Sequence, residues 1–332
     1  MIPDWREVRA AFEPLRAPEP RCYLDTASMG LPPAVVVEEV RQSLEDWEQG
    51  RASWRAWEAR AEEARRLLAR VVGVGAERVS LTNSFSAAAS QVAASLPDPA
   101  RSKRDVLVVG AEEFRSNLFP WWLQERRGFH LRQIPFRGGG PGCEDLIAAI
   151  DGRTALVAVS HVQSATGYRV DVERLADACR DRGTLLFVDG TQSVGAVPTP
   201  IEGIDFLATH AYKWLLAPRG AAFLVVDPAR LDTQVPLQPS WRSPAPPHTA
   251  YYGGPFEPGG GASALDASLA WLSWVGAARA LEFLLEVGLE GIHARAAELA
   301  ARFRGGLDAL GLDGIAGREN ASPIVALDPG VD

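Results

Sequence analysis

Short apolar runs alternate with segments of helical periodicity through the middle of the chain. The runs place apolar residues at consecutive positions, which is typical of strands buried on both faces of a sheet. The predicted strands are residues 79–82, 106–109, 131–135, 155–160, 185–189, 205–209 and 222–226. Helical patterns between them are clearest at residues 86–96, 117–127 and 172–182. This alternation predicts an α/β fold with a doubly wound, mostly parallel seven-stranded sheet covered by helices on both sides.

Helices are also predicted before and after the sheet. Two early helices cover residues 33–49 and 53–72, and two later ones cover a buried stretch at 263–287 and an amphipathic stretch at 292–310. Residues 235–261 are rich in proline and glycine, which is typical of a long ordered loop or a domain junction.

These boundaries predict four parts of the chain. They are an N-terminal arm (1–22), a large domain (23–240), a junction (241–262), and an interdomain helix with a small C-terminal α/β domain (263–332). A strand-like segment at 323–327 comes shortly before the last residue. We therefore expect the small domain to be truncated.

The composition is that of a folded globular protein of about two domains. The 332 residues are 47% hydrophobic and 23% charged. A net charge of −8 argues against nucleic acid or a membrane as a partner, because both require a basic face. The charged N-terminus lacks the apolar core of a signal peptide, and Cys22, Cys143 and Cys179 are too scattered for a disulfide framework or a metal knuckle. We expect a cytoplasmic protein with no metal.

Several common catalytic motifs are missing. The sequence contains no HExxH metal motif, no GxSxG nucleophile elbow and no GxxxxGK phosphate loop. Glycine clusters at residues 138–140 and 259–261 have no strand directly before them, so neither forms a convincing dinucleotide fingerprint. Chemistry is therefore sought in polar residues just after the strands, where doubly wound sheets bind their ligands.

Lysine is rare, because among 34 lysines and arginines only Lys103 and Lys213 are lysine. Lys103 lies in the hydrophilic stretch RSKRD and is interpreted as a solvated surface charge. Lys213 follows a predicted strand and has apolar neighbours. A desolvated lysine has a lowered pKa, and its neutral amine forms Schiff bases with carbonyl groups. The alternative is a lysine whose stem packs while its amine reaches water.

A carboxylate accompanies this lysine, since Asp189 ends the predicted strand 185–189. Pyridoxal phosphate needs such a group, because the cofactor acts as an electron sink only while its pyridine nitrogen keeps a proton. Gln192, in the following turn, is a candidate donor to the ring oxygen. An aspartate at a strand end is also a common helix cap. Together, Asp189 and Lys213 indicate a pyridoxal phosphate site more strongly than either residue does alone.

The segments FVDGTQSVG and HAYKWLLAPRGAAFL resemble the class V aminotransferase family of pyridoxal-phosphate-dependent enzymes. This family includes cysteine desulfurases, kynureninases and isopenicillin-N-epimerase-like proteins. The similarity extends from about residue 23 to about residue 310 and is strongest over 160–225. It implies a fold-type-I PLP transferase, the aspartate-aminotransferase-like fold, which binds pyridoxal 5′-phosphate and transforms an amino acid through an external aldimine.

The resemblance also implies roles for individual residues. Lys213 forms the Schiff base and moves the Cα proton, Asp189 pairs with the pyridine nitrogen, and Phe114 stacks on the ring. The helix that opens at Ser84, Phe85 and Ser86 receives the phosphate, where free N–H groups and the helix dipole favour an anion. His210 and Tyr212 add donors from the other side, and Gln163 or Ser164 lies near the ring hydroxyl. Two alternatives stay open: Phe114 as a core residue, and Ser84 or Ser86 as a plain helix cap.

The resemblance further implies a homodimer with shared active sites. In relatives a loop like residues 256–260 reaches the partner's phosphate site, where Gly260 offers only its backbone. None of the three cysteines matches the desulfurase cysteine, so transfer of sulfur through an enzyme persulfide is disfavoured. Arg242 is the candidate for binding the substrate carboxylate, with a surface arginine as the alternative.

The reaction type stays open at this point, because one fold supports several chemistries. Transamination and β-elimination of the C–S lyase type are the main expectation. The alternatives are an amino-acid epimerase and a non-catalytic homologue that acts as a binding partner.

Overall fold

Seven strands form one sheet within residues 3–12, 22–244 and 251–327, the parts of the chain that the computed structural model describes. The sheet contains β1 (Val79–Thr82), β2 (Val106–Gly110), β3 (His130–Ile134), β6 (Thr154–Ser160), β7 (Leu185–Asp189), β8 (Phe206–His210) and β9 (Ala222–Val226), and a separate hairpin contains β4 (Phe136–Arg137) and β5 (Gly140–Pro141). The order is β1-β9-β8-β7-β6-β2-β3. Strands β8 through β3 are parallel to one another, and β9 is antiparallel to both β8 and β1. The predicted mostly parallel seven-stranded sheet is therefore confirmed.

Helices surround this sheet. They are α1 (Trp5–Ala10), α2 (Ala34–Glu48), α3 (Trp54–Val72), α4 (Phe85–Ser95), α5 (Pro99–Ser102), α6 (Arg115–Trp122), α7 (Cys143–Ala148), α8 (Val172–Asp181), α9 (Trp271–Val287) and α10 (Leu289–Asp308). None of the helices in the described part of the chain has the length and apolar content of a membrane span.

Consecutive residues of every strand of the sheet except the partly exposed edge strand β3 face two different cores. On one face Val108 and Val188 pack in a cluster that includes residues of α3, α8 and α9. On the other face Leu107 and Phe187 pack with residues of α4 and α6. Because both faces of these strands are buried, most of their positions are apolar, which is the pattern that identified them in the sequence.

The long helix predicted at residues 263–287 begins later, at Trp271. Residues Gly261–Leu265 form a 3₁₀ turn, and Asp266 is extended. The Asp266 carboxylate accepts a hydrogen bond from the Leu81 N–H at 2.8 Å, and the Ala267 N–H donates to the Leu81 carbonyl at 3.0 Å. These bonds hold the segment alongside β1, so the helical prediction was wrong before Trp271.

Smaller differences appear at two other elements. The helix predicted at 117–127 is α6 followed by a 3₁₀ turn, Leu123–Arg127. The strand-like segment 323–327 forms only an isolated bridge between Leu327 and Gly314. The predicted domain boundaries stay predictions, and residues 1–2 and 13–21 of the arm, 245–250 of the junction and 328–332 of the small domain lie outside the described residues.

A buried ion cluster joins α3 to the segment before α9. Arg242 forms ion pairs with Glu62 at 2.6 Å, with Asp266 at 3.3 Å and with Glu58. Arg65 pairs with Asp266 and with Glu62, the latter at 2.9 Å. Both arginines are buried, so their charges depend on these carboxylates rather than on water.

Replacement of the central carboxylate of this cluster should strongly destabilise the protein. Asp266→Ala leaves two buried guanidinium groups short of a partner, and we expect the free energy of unfolding to fall by about 3–5 kcal/mol. Urea unfolding measures this loss. Asp105→Ala breaks the exposed pair with Arg153 and serves as the control, which should hardly change the midpoint. Equal losses in the two variants would contradict the assignment.

Candidate active site

The carboxyl ends of six strands meet at one edge of the sheet. Strands β2, β3, β6, β7 and β8 are parallel, and β1 has the same direction as β8 because both are antiparallel to β9. Ser160 at the end of β6 is in register with Asp189 at the end of β7, and β8 ends at His210. The helices α4 and α6 begin shortly after β1 and β2 at this same edge. The predicted site residues are therefore gathered from distant parts of the sequence.

Lys213 lies in the turn after β8 with 9% of its surface exposed. Its carbonyl accepts a hydrogen bond from the Leu216 N–H at 3.1 Å. Gly30 packs against this turn so closely that a Cβ atom there would lie 2.1 Å from the Lys213 carbonyl oxygen. Burial lowers the pKa of Lys213, and the charge of Asp189 opposes this shift. The amine thus loses its proton more readily than that of a surface lysine.

Asp189 is buried at the end of β7, and its Oδ1 accepts the Thr191 N–H at 2.8 Å. Burial raises the pKa of Asp189 to about 7; the Thr191 hydrogen bond and the charge of Lys213 oppose this rise, and the charge of Glu113 adds to it. A nearby positive group would stabilise the ionised form of this buried carboxylate. A protonated pyridine nitrogen is such a group.

His210 presents a buried donor to the site. Its Nε2 accepts the Phe85 N–H at 3.3 Å, so the ring proton resides on Nδ1. That Nδ1 is buried and has no hydrogen-bond partner in the described part of the chain. Burial lowers the pKa of His210 to about 4, and the charges of Lys213 and Arg219 add to this effect. The histidine is therefore neutral near pH 7 and offers one N–H to an acceptor. The ring of Tyr212 lies edge-on to it, with centroids 4.8 Å apart.

The N-terminus of α4 carries the serines predicted to receive a phosphate. Ser84 is the N-cap, and its Oγ accepts the Ala87 N–H at 3.1 Å and lies 3.2 Å from the Ser86 Oγ. Ser84 is thus a helix cap, and a cap leaves room for an anion at the helix terminus. Both serines also line a cavity of about 260 Å³. Neither Lys213 nor Asp189 lines this cavity.

Phe114 is an exposed aromatic residue rather than a core residue. It is the N-cap of α6, and 56% of its surface is accessible. The Lys213 Nζ lies 5.7 Å from the centroid of its ring. The aromatic face is thus available to a planar group next to the lysine.

The three polar residues predicted to contact the cofactor ring differ in how many hydrogen bonds their side chains already form within the protein. Gln192 donates from Nε2 to the Ala27 carbonyl at 2.9 Å, and its Oε1 accepts the Trp214 Nε1–H at 2.7 Å. Gln163 donates from Nε2 to Glu113 at 2.8 Å. Ser164 is half-buried. This arrangement favours Ser164 over Gln163 for a ring hydroxyl.

Two predicted residues lie apart from this group. Arg242 is 5% exposed and is held by the ion cluster, which favours a structural role over binding of a substrate carboxylate. It is not the surface arginine of the alternative prediction. Gly260 is exposed, and a Cβ atom added there would meet no other described residue within 4 Å. Its carbonyl accepts the Ser263 Oγ–H at 3.0 Å.

Sequence reasoning missed two charged groups near the site. Glu113 is 4% exposed and accepts a hydrogen bond from the Gln163 side chain. It lies just after the end of β2, where the rule that selected Asp189 would also have selected it. The Arg219 guanidinium lies 5.4 Å from the Tyr212 ring centroid, and its place within the segment HAYKWLLAPRGAAFL was the signal that could have identified it.

The pKa of Asp189 predicts how stability depends on pH. Between about pH 4 and pH 7 the folded protein retains a proton that the unfolded chain releases, so the free energy of unfolding falls as the pH rises. Asp189→Asn removes this contribution, and the cofactor-free variant should lose less stability than wild type between these pH values. Unfolding in urea at both ends of the range provides the measurement. The exposed Asp181→Asn is the control, and parallel curves for Asp189→Asn and wild type would contradict the assignment.

The sequence of this chain matches that of a known protein family. The model of the family described as Aminotransferase class-V matches residues 22–327. Isopenicillin N epimerase of Streptomyces clavuligerus is 31% identical over 253 residues, which cover 73% of this chain and 63% of the epimerase. The chain thus aligns with less than two thirds of the length of this curated relative.

Solved structures share the fold. The apo structure of a cysteine desulfurase from Thermococcus onnurineus NA1 has a TM-score of 0.83 and 25% identity, and the match covers 100% of this chain and 83% of the other. A C-DES variant with glycine covalently linked to its PLP cofactor has a TM-score of 0.82 at 21% identity, covering 95% and 84%. Because the family model matches most of its length, the chain belongs to the class V aminotransferase family.

Proposed function

We propose that this protein binds pyridoxal 5′-phosphate and transforms an amino acid at Cα or Cβ. The observation that carries the proposal is the buried pair of Lys213 and Asp189 at the ends of neighbouring strands, with the exposed ring of Phe114 beside the lysine. When bound, the cofactor supplies an electron sink for negative charge that develops at Cα. The side chains of this protein determine where the cofactor is held and which protons move.

The chain offers a partner for each polar part of the cofactor. Asp189 would hold a proton on the ring nitrogen, and Phe114 would pack against the ring. The N-terminus of α4 and the free Nδ1–H of His210 receive the phosphate. The unpartnered Nδ1 supports this fit, because a buried donor without an acceptor costs free energy.

Lys213 acts as the attachment point for the aldehyde and as the base at Cα. Its lowered pKa leaves more neutral amine near neutral pH than a surface lysine has. The aromatic residue beside it, Phe114, has no proton to exchange. We therefore propose a reaction of the transaminase or β-elimination type, including C–S lyase chemistry, in which Lys213 moves the proton.

Epimerisation is the second candidate, and the 31% identity to an isopenicillin N epimerase favours it. Persulfide chemistry on an enzyme cysteine is less favoured. Burial raises the pKa of Cys143 to about 11, with Asp171 adding, and raises that of Cys179 to about 12, with Asp205 adding. Neither thiol forms much thiolate at neutral pH.

We also propose a cytoplasmic homodimer with shared active sites. Exposed apolar side chains of Phe119, Trp122 and Leu123 lie close together at the end of α6, where a partner would cover them. The space around Gly260 is open, so another subunit could pack against it. The free thiols of all three cysteines support a reducing compartment.

The two lysines provide a matched test of cofactor binding. Wild type and Lys103→Ala should take up pyridoxal 5′-phosphate, and borohydride should then attach the cofactor permanently, so that it stays on the protein after unfolding and gel filtration. Lys213→Ala should lose its cofactor in the same treatment, because only a reduced Schiff base to lysine is permanent and the remaining lysine is exposed. A wild type that takes up no cofactor would support a non-catalytic homologue, and permanent attachment to Lys213→Ala would refute the role of this lysine.

Products distinguish the reaction types. Amino acids, including sulfur-containing ones, are incubated with the protein and assayed for keto acid, sulfide and inversion at Cα. Keto acid or sulfide is the expected outcome, because Lys213 is the proton-carrying group found next to the aromatic face. Inversion alone would instead identify an epimerase. Lys213→Ala is the control and should form none of the three products.

A further inference from the structure

Glu113 lies where the ends of β2 and β6 meet. It follows β2 by a short turn and is 4% exposed. Its carboxylate contacts Ser160, the last residue of β6, and Ser160 is in register with Asp189 on β7. Two buried carboxylates therefore stand at the same edge of the sheet, close to each other.

Four donors converge on the Glu113 carboxylate. Its Oε1 accepts the Ser160 N–H at 2.9 Å and the Gln163 Nε2 at 2.8 Å. Its Oε2 accepts the Ser160 hydroxyl at 2.5 Å and the Asn117 Nδ2 at 3.4 Å. The side chain thus joins the turn before α6, the start of α6 and the loop after β6.

The direction of these bonds is fixed by a further contact. The Trp121 Nε1–H donates to the Asn117 Oδ1 at 3.3 Å, which turns the Asn117 NH₂ group towards Glu113. The same NH₂ group lies 3.4 Å from the Ser160 Oγ, so the Ser160 hydroxyl proton is directed at Glu113. A carboxylate accepts all four bonds. An amide or a carboxylic acid would instead place its own N–H or O–H against at least one of these donors. Burial raises the pKa of Glu113, and the bonds from Ser160, Gln163 and Asn117 oppose that rise.

The groups tied by Glu113 belong to the proposed cofactor site. Phe114 is the next residue in the chain, and its ring faces the Lys213 amine. Ser164 follows Gln163 directly. Because Glu113 holds the backbone before Phe114 and the loop that carries Ser164, it fixes these two parts of the site relative to each other.

We infer that Glu113 is a positioning residue for pyridoxal 5′-phosphate, which holds Phe114 and the 160–164 loop in register and adds a second negative charge beside Asp189. The inference rests on the proposed function, and it extends that function to a residue with no direct contact to the cofactor. The second charge stabilises the proton shared between Asp189 and the ring nitrogen. Removal of the carboxylate charge should therefore weaken cofactor binding and alter the orientation of the bound ring.

Glu113→Gln tests this inference against Glu112→Gln, a matched change at the exposed neighbouring residue. The dissociation constant is measured by titrating cofactor-free protein with pyridoxal 5′-phosphate and following the absorbance. Circular dichroism of the bound cofactor reports the ring orientation. Glu113→Gln should bind about tenfold more weakly or worse, because a buried donor loses its acceptor, and its visible circular dichroism should change. Glu112→Gln should match wild type.

A dissociation constant and spectrum equal to those of wild type in Glu113→Gln overturn the inference, even if the cofactor-free variant melts at a lower temperature. A wild-type protein that binds no cofactor overturns both the inference and the proposed function. If Glu113→Gln does not fold, Ser160→Ala replaces it, because this change removes one donor and keeps the carboxylate. Its binding should weaken about three- to tenfold, and an unchanged dissociation constant overturns the inference.

Discussion

The burial of charged groups at the carboxyl edge of the sheet is the constraint on which the site depends. Charges removed from water need hydrogen-bonding or oppositely charged partners inside the protein. Lys213, Asp189 and Glu113 meet this need in different ways. The lysine has a lowered pKa, Asp189 has a raised pKa, and Glu113 is surrounded by donors.

The segment before α2 also contributes to this edge. The Gly30 N–H donates to the Tyr212 carbonyl at 3.0 Å, and the Ala27 carbonyl accepts from Gln192. Gln192 in turn holds the Trp214 indole. The turn that carries the lysine is thus fixed from two directions, which limits the motion of its amine relative to Asp189.

The sequence predicted the sheet well because all of its strands except β3 are buried on both faces and are made mostly of apolar residues. The same apolar criterion failed at residues 263–270, because the partners of Asp266 lie on α3 and β1, far away in the sequence. Lys213 was noticed because lysine is rare in this chain and this one follows a strand by a short turn. Asp189 was noticed because it ends a strand. The Glu113 network and the burial of Arg242 depend on contacts between distant segments, which no local pattern encodes.

The position of β9 has a consequence for synthesis of the protein. In the sheet β1 pairs with β9, although β1 is the first strand to leave the ribosome and β9 the last of the seven. The nascent chain therefore carries β1 and the start of α4 without the neighbouring strand until β9 has been made. Such long-range pairing slows folding and leaves an apolar edge exposed meanwhile. The N-terminus of α4, which begins just after β1, is thus completed late, after the segment that contains Lys213 has emerged.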